Sequence, residues 1–226
     1  MLIGVLVNCA AVFLGGILGA LLKEHFPLKL KENLPNIFGL SAITMGIYLI
    51  INLDKLATVV LAIIVGTVVG ELLSLEENLL SALKKLERRL PTNLDEEQLD
   101  TIISMIILFC FSGTGIFGAM NSGITGDHSI LYAKSVMDFF TAIIFGATTG
   151  YIVGFICIPQ MLVGMALFYS SNYLMPFVND AMLSNFKACG GIITLAVGLK
   201  IANIKRFRVL NTLPALRLAF PLTPLF

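Results

Sequence analysis

The chain is poor in charge. Of its 226 residues only 13% are Asp, Glu, Lys or Arg, against 57% hydrophobic, and the mean hydropathy is +0.92. A soluble domain carries about 25% charged residues, so this composition cannot clothe a water-facing surface. It excludes a soluble globule, a disordered chain and a fibrous one. Net charge is also scarce: fifteen basic against fourteen acidic residues leave +1, which supplies no field to attract nucleic acid. Cysteine is present only as Cys9, Cys110, Cys157 and Cys189, each inside an apolar stretch and without a CxxC pair. They read as small apolar filler rather than a disulfide framework. The ligands for a metal or cofactor are missing. No Walker-type loop, HExxH, GxGD or spaced Ser-His pair occurs, so neither an enzyme nor an ATPase motor is expected. No basic stretch precedes the first apolar run, which continues to Leu22. It reads as a first span and not as a cleavable signal peptide.

What the chain does have is long apolar runs. A bilayer crossing needs about 20 such residues at about 1.5 Å each. Runs at 2–22, 34–53, 55–74, 100–120, 130–155, 157–177 and 182–203 give seven spans. The closing 209–226 contains Pro214, Pro221 and Pro224 and reads as a broken or re-entrant segment. The expected fold is an all-α polytopic membrane protein, one integral domain over 1–226 with the lipid bilayer as its partner.

Basic residues sort to one side. Lys23, Lys29, Lys31, Lys84, Lys85, Arg88, Arg89, Lys205, Arg206 and Arg208 fall on one face, and Lys55, Lys134 and Lys187 on the other. Positive residues stay in the cytoplasm, which puts the N-terminus outside and the 76–98 segment in the cytoplasm. In that segment Leu72, Leu75, Leu79, Leu83, Leu86 and Leu90 form one helical stripe. The third span is expected to run on as an amphipathic helix to Pro91, with Asn93 and Glu96 opening a second arm. Such a hairpin packs on itself or the membrane surface, or serves as a homo-oligomer contact.

The sequence also echoes itself. Asn8 with Gly16, Thr58 with Gly66, and Asp138 with Gly146 each place a polar residue eight positions before a glycine. Ala62–Gly66 parallels Ala142–Gly146 at an offset of 80, and Gly39 and Gly46 match Gly191 and Gly198 at an offset of 152. An internal repeat is one way to build a transporter, with the substrate site at the repeat interface. The glycine steps also let helices approach closely.

Candidate site residues cluster between 113 and 141. Gly113, Gly115, Gly118, Gly123 and Gly126 suggest irregular backbone, which survives at membrane depth only beside protein or a cavity. Asn121, Asp127 and His128 would line that cavity. A plain turn with Asp127 capping the next helix is the alternative. Asp138 falls well inside the fifth span, where a carboxylate is costly and marks ion or proton paths. Lys134 stands one turn earlier, with Ser135 beside it, and the pair could equally neutralise itself and lock the bundle. Asn8 and Asn211 are lesser candidates for a path or a helix contact.

The opening Met1-Leu-Ile-Gly-Val-Leu-Val-Asn8, the Gly66-Thr-Val-Val-Gly70-Glu71-Leu-Leu junction, the Gly126-Asp127-His128-Ser129 loop with Lys134, Ser135 and Asp138, and Asn211-Thr-Leu-Pro214-Ala-Leu form a pattern. It resembles the domain-of-unknown-function 554 family, YdfK- and YqgA-like bacterial inner-membrane proteins. The resemblance covers essentially the whole chain, although Phe220-Pro221-Leu-Thr-Pro224-Leu-Phe is more proline-rich than the pattern. It implies a single domain in the bacterial plasma membrane and a transport role without a defined substrate. It supplies no catalytic residue. The expected function is a transporter or channel for a small solute or ion, with the 113–128 segment and Asp138 lining the path. A non-transporting scaffold or sensor acting through 76–98 is the alternative.

Overall fold

The computed structural model describes residues 2–22, 28–51, 53–87, 102, 105–173, 175–205 and 207–225, and every regular element among them is helical. The helices are α1 (Ile3–Leu22), α2 (Leu28–Ile50), α3 (Leu56–Leu72), α4 (Leu75–Glu87), α5 (Gly113–Thr125), α6 (Ser129–Thr149), the single turn α7 (Ile152–Phe155), α8 (Cys157–Asn172), α9 (Asp180–Ile201) and α10 (Pro214–Leu222). Lipid offers no hydrogen bonds, so an apolar run must satisfy its backbone internally, and a helix does so within one segment.

Among the described residues, five stretches are long and apolar enough to cross a membrane: Ile3–Leu22, Met105–Thr125, Ser129–Thr149, Ile152–Asn172 and Asp180–Ile201. The bent pair of α3 and α4 makes six. The protein is therefore a multi-pass membrane protein, but among the described residues fewer than seven spans qualify by length and apolarity. In α2 the apolar part is only Asn36–Ile50, because Lys29, Lys31 and Glu32 occupy its first turns.

Several expected boundaries shift, each for a local reason. The run 130–155 is divided, because α6 stops at Gly150, whose φ of 86° and ψ of −160° suit only glycine. The next span thus begins at Ile152 rather than 157. The third span does not run on straight beyond Leu72 either. It breaks at Ser74, which takes φ 47°, and α4 leaves at 44° to α3. The second arm of the 76–98 hairpin, with Asn93 and Glu96, lies outside the described residues. The glycine-rich segment is regular helix: the Ser112 side chain caps α5 by accepting from Gly115 N, and Gly126 closes it in the left-handed region at φ 73°. Residues 209–225 form a 3-10 turn, the nine-residue α10 and a second 3-10 turn; Pro214 opens α10, Pro221 lies inside it and Pro224 sits in the closing turn, so the segment holds no long helix.

Glycines set the packing. Gly15 and Gly19 of α1 meet the backbone carbonyls of Phe139 and Ile143, so α1 and α6 run parallel in the most extensive interface of the molecule. In α2 and α9, a methyl group at Gly46 would stand 2.7 Å from the Gly191 carbonyl oxygen, and one at Gly191 would stand 2.7 Å from that of Gly46. Gly39 and Gly198 oppose each other in the same reciprocal way, so this pair is antiparallel. Gly66 meets Ala215 and Gly70 meets Asn211, which lays the C-terminal segment antiparallel along α3. Gly16 beside Gly154 and Gly164 beside Val5 set the α7–α8 span antiparallel to α1.

Gly150 allows a clean test of backbone strain, because a methyl group there would meet nothing within 4 Å. Gly150→Ala should cost about 1–3 kcal/mol from the forbidden dihedrals alone. A thermal melt in detergent unchanged from wild type would show that the helix can end differently.

Candidate functional site

Asp138 lies nine residues into α6, about 13 Å along its axis. Only 7% of it is exposed, and Lys134, one turn earlier on the same face, is 3% exposed. Three donors converge on one carboxylate oxygen: Lys134 Nζ at 2.5 Å, Asn8 Nδ2 at 2.8 Å and Gln160 Nε2 at 3.3 Å, all on Asp138 Oδ2. Gln160 Nε2 also donates to Asn8 Oδ1 at 2.8 Å, so Gln160, Asn8 and Asp138 form a chain from α8 through α1 to α6. Its orientation is internally consistent, since each amide nitrogen faces an oxygen. A buried carboxylate without partners would be costly, and here one oxygen carries both the ion pair and the amide donors. Gln160 Oε1 remains without a partner.

The ion pair borders a cavity of about 230 Å³, whose wall also includes Ala42, Thr114, Thr141 and Val197. The hydroxyl of Thr114 is buried there without a partner. A second cavity, of about 420 Å³, shares Leu108, Ser112, Val197 and Ile201 with the first and extends to Glu76 and Lys200. A third, of about 480 Å³, lies toward the opposite end of α6 and α9, where it reaches Asp127, Ser129, Ala133 and Lys187. Along α6, the wall of the third cavity ends at Ala133 and that of the central one begins at Lys134.

The Asp127 end is built around a tight turn. Asp127 turns the chain into α6 by accepting from Ser129 N at 2.9 Å, one residue before the N-cap His128, and Asn121 Nδ2 donates to the Asp127 carbonyl at 3.3 Å. Partial burial alone would raise the Asp127 pKa, but the hydrogen bonds from Ser129 and the nearby charges of Lys187 and His128 hold it below the usual carboxylate range. His128 Nδ1 pairs with Ser122 Oγ at 2.6 Å.

Comparison with known proteins matches residues 3–224 to a family described as a protein of unknown function, DUF554. The chain belongs to the DUF554 family. It is 42% identical to the uncharacterized protein YqgA of Escherichia coli (strain K12), over 99% of this chain and 97% of that one. It is 25% identical to the uncharacterized membrane protein YdfK of Bacillus subtilis (strain 168), over 94% and 92% of the two chains. No solved structure matches.

Of the residues singled out in the sequence, the fold brings Asp138, Lys134 and Asn8 together. Asn121 and Asp127 meet at one end, beside the His128–Ser122 pair. Ser135 is buried but donates to the Leu131 carbonyl of its own helix. Asn211 stands apart, accepting from Glu76 N at 2.9 Å at the far end of α3. Lys134 belongs to the core of α6 and not to a loop, so it drops out of the charge comparison between the two faces. Gln160 was overlooked, although it interrupts an apolar helix as Asn8 does.

Proposed function

We propose that this protein is a carrier for a small solute, set in the bacterial inner membrane with its N-terminus outside and α4 in the cytoplasm. The supporting observation is the buried Lys134–Asp138 pair, which has cavities toward both ends of the helices and a 230 Å³ space at its side. An ion pair that only locked a bundle would need no such space.

The offset of 152 gives the reading a mechanism. It relates α1 to the α7–α8 span, α2 to α9 and α3 to the C-terminal segment, and the members of each pair are antiparallel neighbours. Asn8 and Gln160 are 152 apart and hydrogen-bonded to each other. Met45, Tyr48 and Leu49 line the outer cavity, and their counterparts Val197, Lys200 and Ile201 line the inner one. An inverted repeat related by a two-fold axis in the membrane plane produces such matched vestibules, and exchange of the two halves' conformations gives alternating access. The offset of 80 has no corresponding helix pair among the main interfaces. The scaffold reading is weaker, because the acids that open α4 are engaged by its own chain: Glu77 pairs with Arg208 at 2.6 Å and Glu76 with Lys200 at 3.8 Å.

The test is proteoliposomes loaded with a mixture of amino acids, sugars, carboxylates, amines and salts, with the retained contents measured by mass spectrometry under proton and sodium gradients. Wild-type vesicles should lose at least one class faster than protein-free vesicles, and Asp138→Asn should slow that loss at least tenfold. Retention equal to that of empty vesicles would overturn the carrier reading.

A further inference from the structure

The cavities share a feature that their positions alone do not require. Each is lined by one carboxylate and one ammonium group and, among the described residues, by no other charged side chain. The outer cavity has Asp127 and Lys187, the central one Asp138 and Lys134, and the inner one Glu76 and Lys200. These pairs come from different places in the chain. The outer pair joins the α5–α6 turn to α9, the central pair lies within α6, and the inner pair joins α4 to α9. The remaining walls are mostly apolar: Met45 and Leu49 outside, Ala42 and Val197 at the centre, Leu80 and Ile107 inside.

Such a route discriminates by charge. A bare cation would have to pass an ammonium group in every chamber, and a bare anion a carboxylate, with little water to screen the repulsion. A molecule carrying one charge of each sign meets a complementary pair at every stage and brings no net charge into the low-dielectric centre. Two unpartnered polar groups lie where such a molecule would sit. Asn121 is fully buried and lines the outer cavity with Asp127, and its Nδ2 is committed to the Asp127 carbonyl, which leaves its Oδ1 as an unpartnered acceptor. The Thr114 hydroxyl, 2% exposed as a residue, lines the central cavity without a partner.

We infer that the substrate class is a small zwitterion with an apolar body, one ammonium and one carboxylate close together, as in an aliphatic α-amino acid. The ammonium is received by Asp127 and Asn121 Oδ1 outside, by Asp138 at the centre and by Glu76 inside. The carboxylate is received in turn by Lys187, Lys134 and Lys200. The 230 Å³ of the central cavity bounds the size of the body.

This inference rests on the carrier reading, and the experiment separates the two. Purified protein is probed by thermal shift, and proteoliposomes by counterflow, with three compounds of one carbon skeleton: L-leucine, 3-methylbutylamine, which lacks the carboxylate, and 4-methylpentanoate, which lacks the ammonium. Leucine should stabilise the protein at concentrations at least tenfold lower than either analogue and should alone show counterflow. Lys134→Gln and Asp138→Asn should each remove its counterflow. If the amine or the acid acts as well as leucine, or no compound of the three binds, the zwitterion assignment falls. Counterflow of a singly charged analogue without leucine would overturn the assignment and leave the carrier standing. Selective leucine binding without counterflow, despite intact protein, would support the site and count against the carrier.

Discussion

Asp138→Leu should destabilise the protein by about 3–5 kcal/mol, because it strands Lys134 as an uncompensated charge in the core of α6. The second change Lys134→Met should restore part of that loss. A buried ion pair replaced as a whole by apolar groups is often close to neutral, since its desolvation penalty disappears with it. Recovery will be incomplete, because Asn8 Nδ2 loses its acceptor, and an orphaned buried donor costs about 1–3 kcal/mol. Gln160 keeps its bond to Asn8 Oδ1 and adds little to the deficit. Unfolding in mixed micelles measures the series, and vesicle efflux measures function alongside it. The expected pattern is a double variant more stable than the single one yet inactive. A double variant no more stable than Asp138→Leu would mean that the pair holds the helices together beyond its own charge balance. An active one would remove Asp138 and Lys134 from the path.

This site was partly legible in the sequence. Asn8, Lys134 and Asp138 stood out because a polar residue inside an apolar run must find a partner, and no neighbour in lipid can be water. Gln160 carries the same signal within the expected 157–177 span, and the helix accepts the adjacent Pro159 in its first turn. The offset that matched Gly39 and Gly46 to Gly191 and Gly198 also links residues 8 and 160, so the Asn8–Gln160 bond was within reach. Less was legible where the physics is tertiary. Glycine's low helix propensity pointed to irregular backbone at 113–126, but in lipid the backbone has no competing water partner, and close helix neighbours favour small residues. The acid–base pairs at the two ends bring together residues from separate elements, which local spacing cannot reveal.

Gly19→Ala should be the most damaging single methyl in the chain's main interface, costing about 3 kcal/mol or more, or abolishing folded protein altogether. Every atom that the new methyl would meet most closely belongs to the Ile143 backbone, and α6 cannot yield there without losing the register that places Asp138 beside Asn8. Gly118→Ala is the matched control. Its methyl would most closely meet side-chain atoms, Leu131 Cδ2 at 3.0 Å, Ile130 Cγ2 at 3.1 Å and Leu131 Cγ at 3.2 Å, which can give by a few tenths of an ångström where a backbone cannot. The control should cost under about 1 kcal/mol and should gain a few tenths from helix propensity. The difference between the two isolates the backbone contact from the size of the added group. Comparable melting temperatures for both variants, measured in the same detergent, would show that α1 and α6 can slide apart. Asn8 would then be free to leave Asp138 at small cost, and the central cluster would be a loose association rather than a fixed constellation.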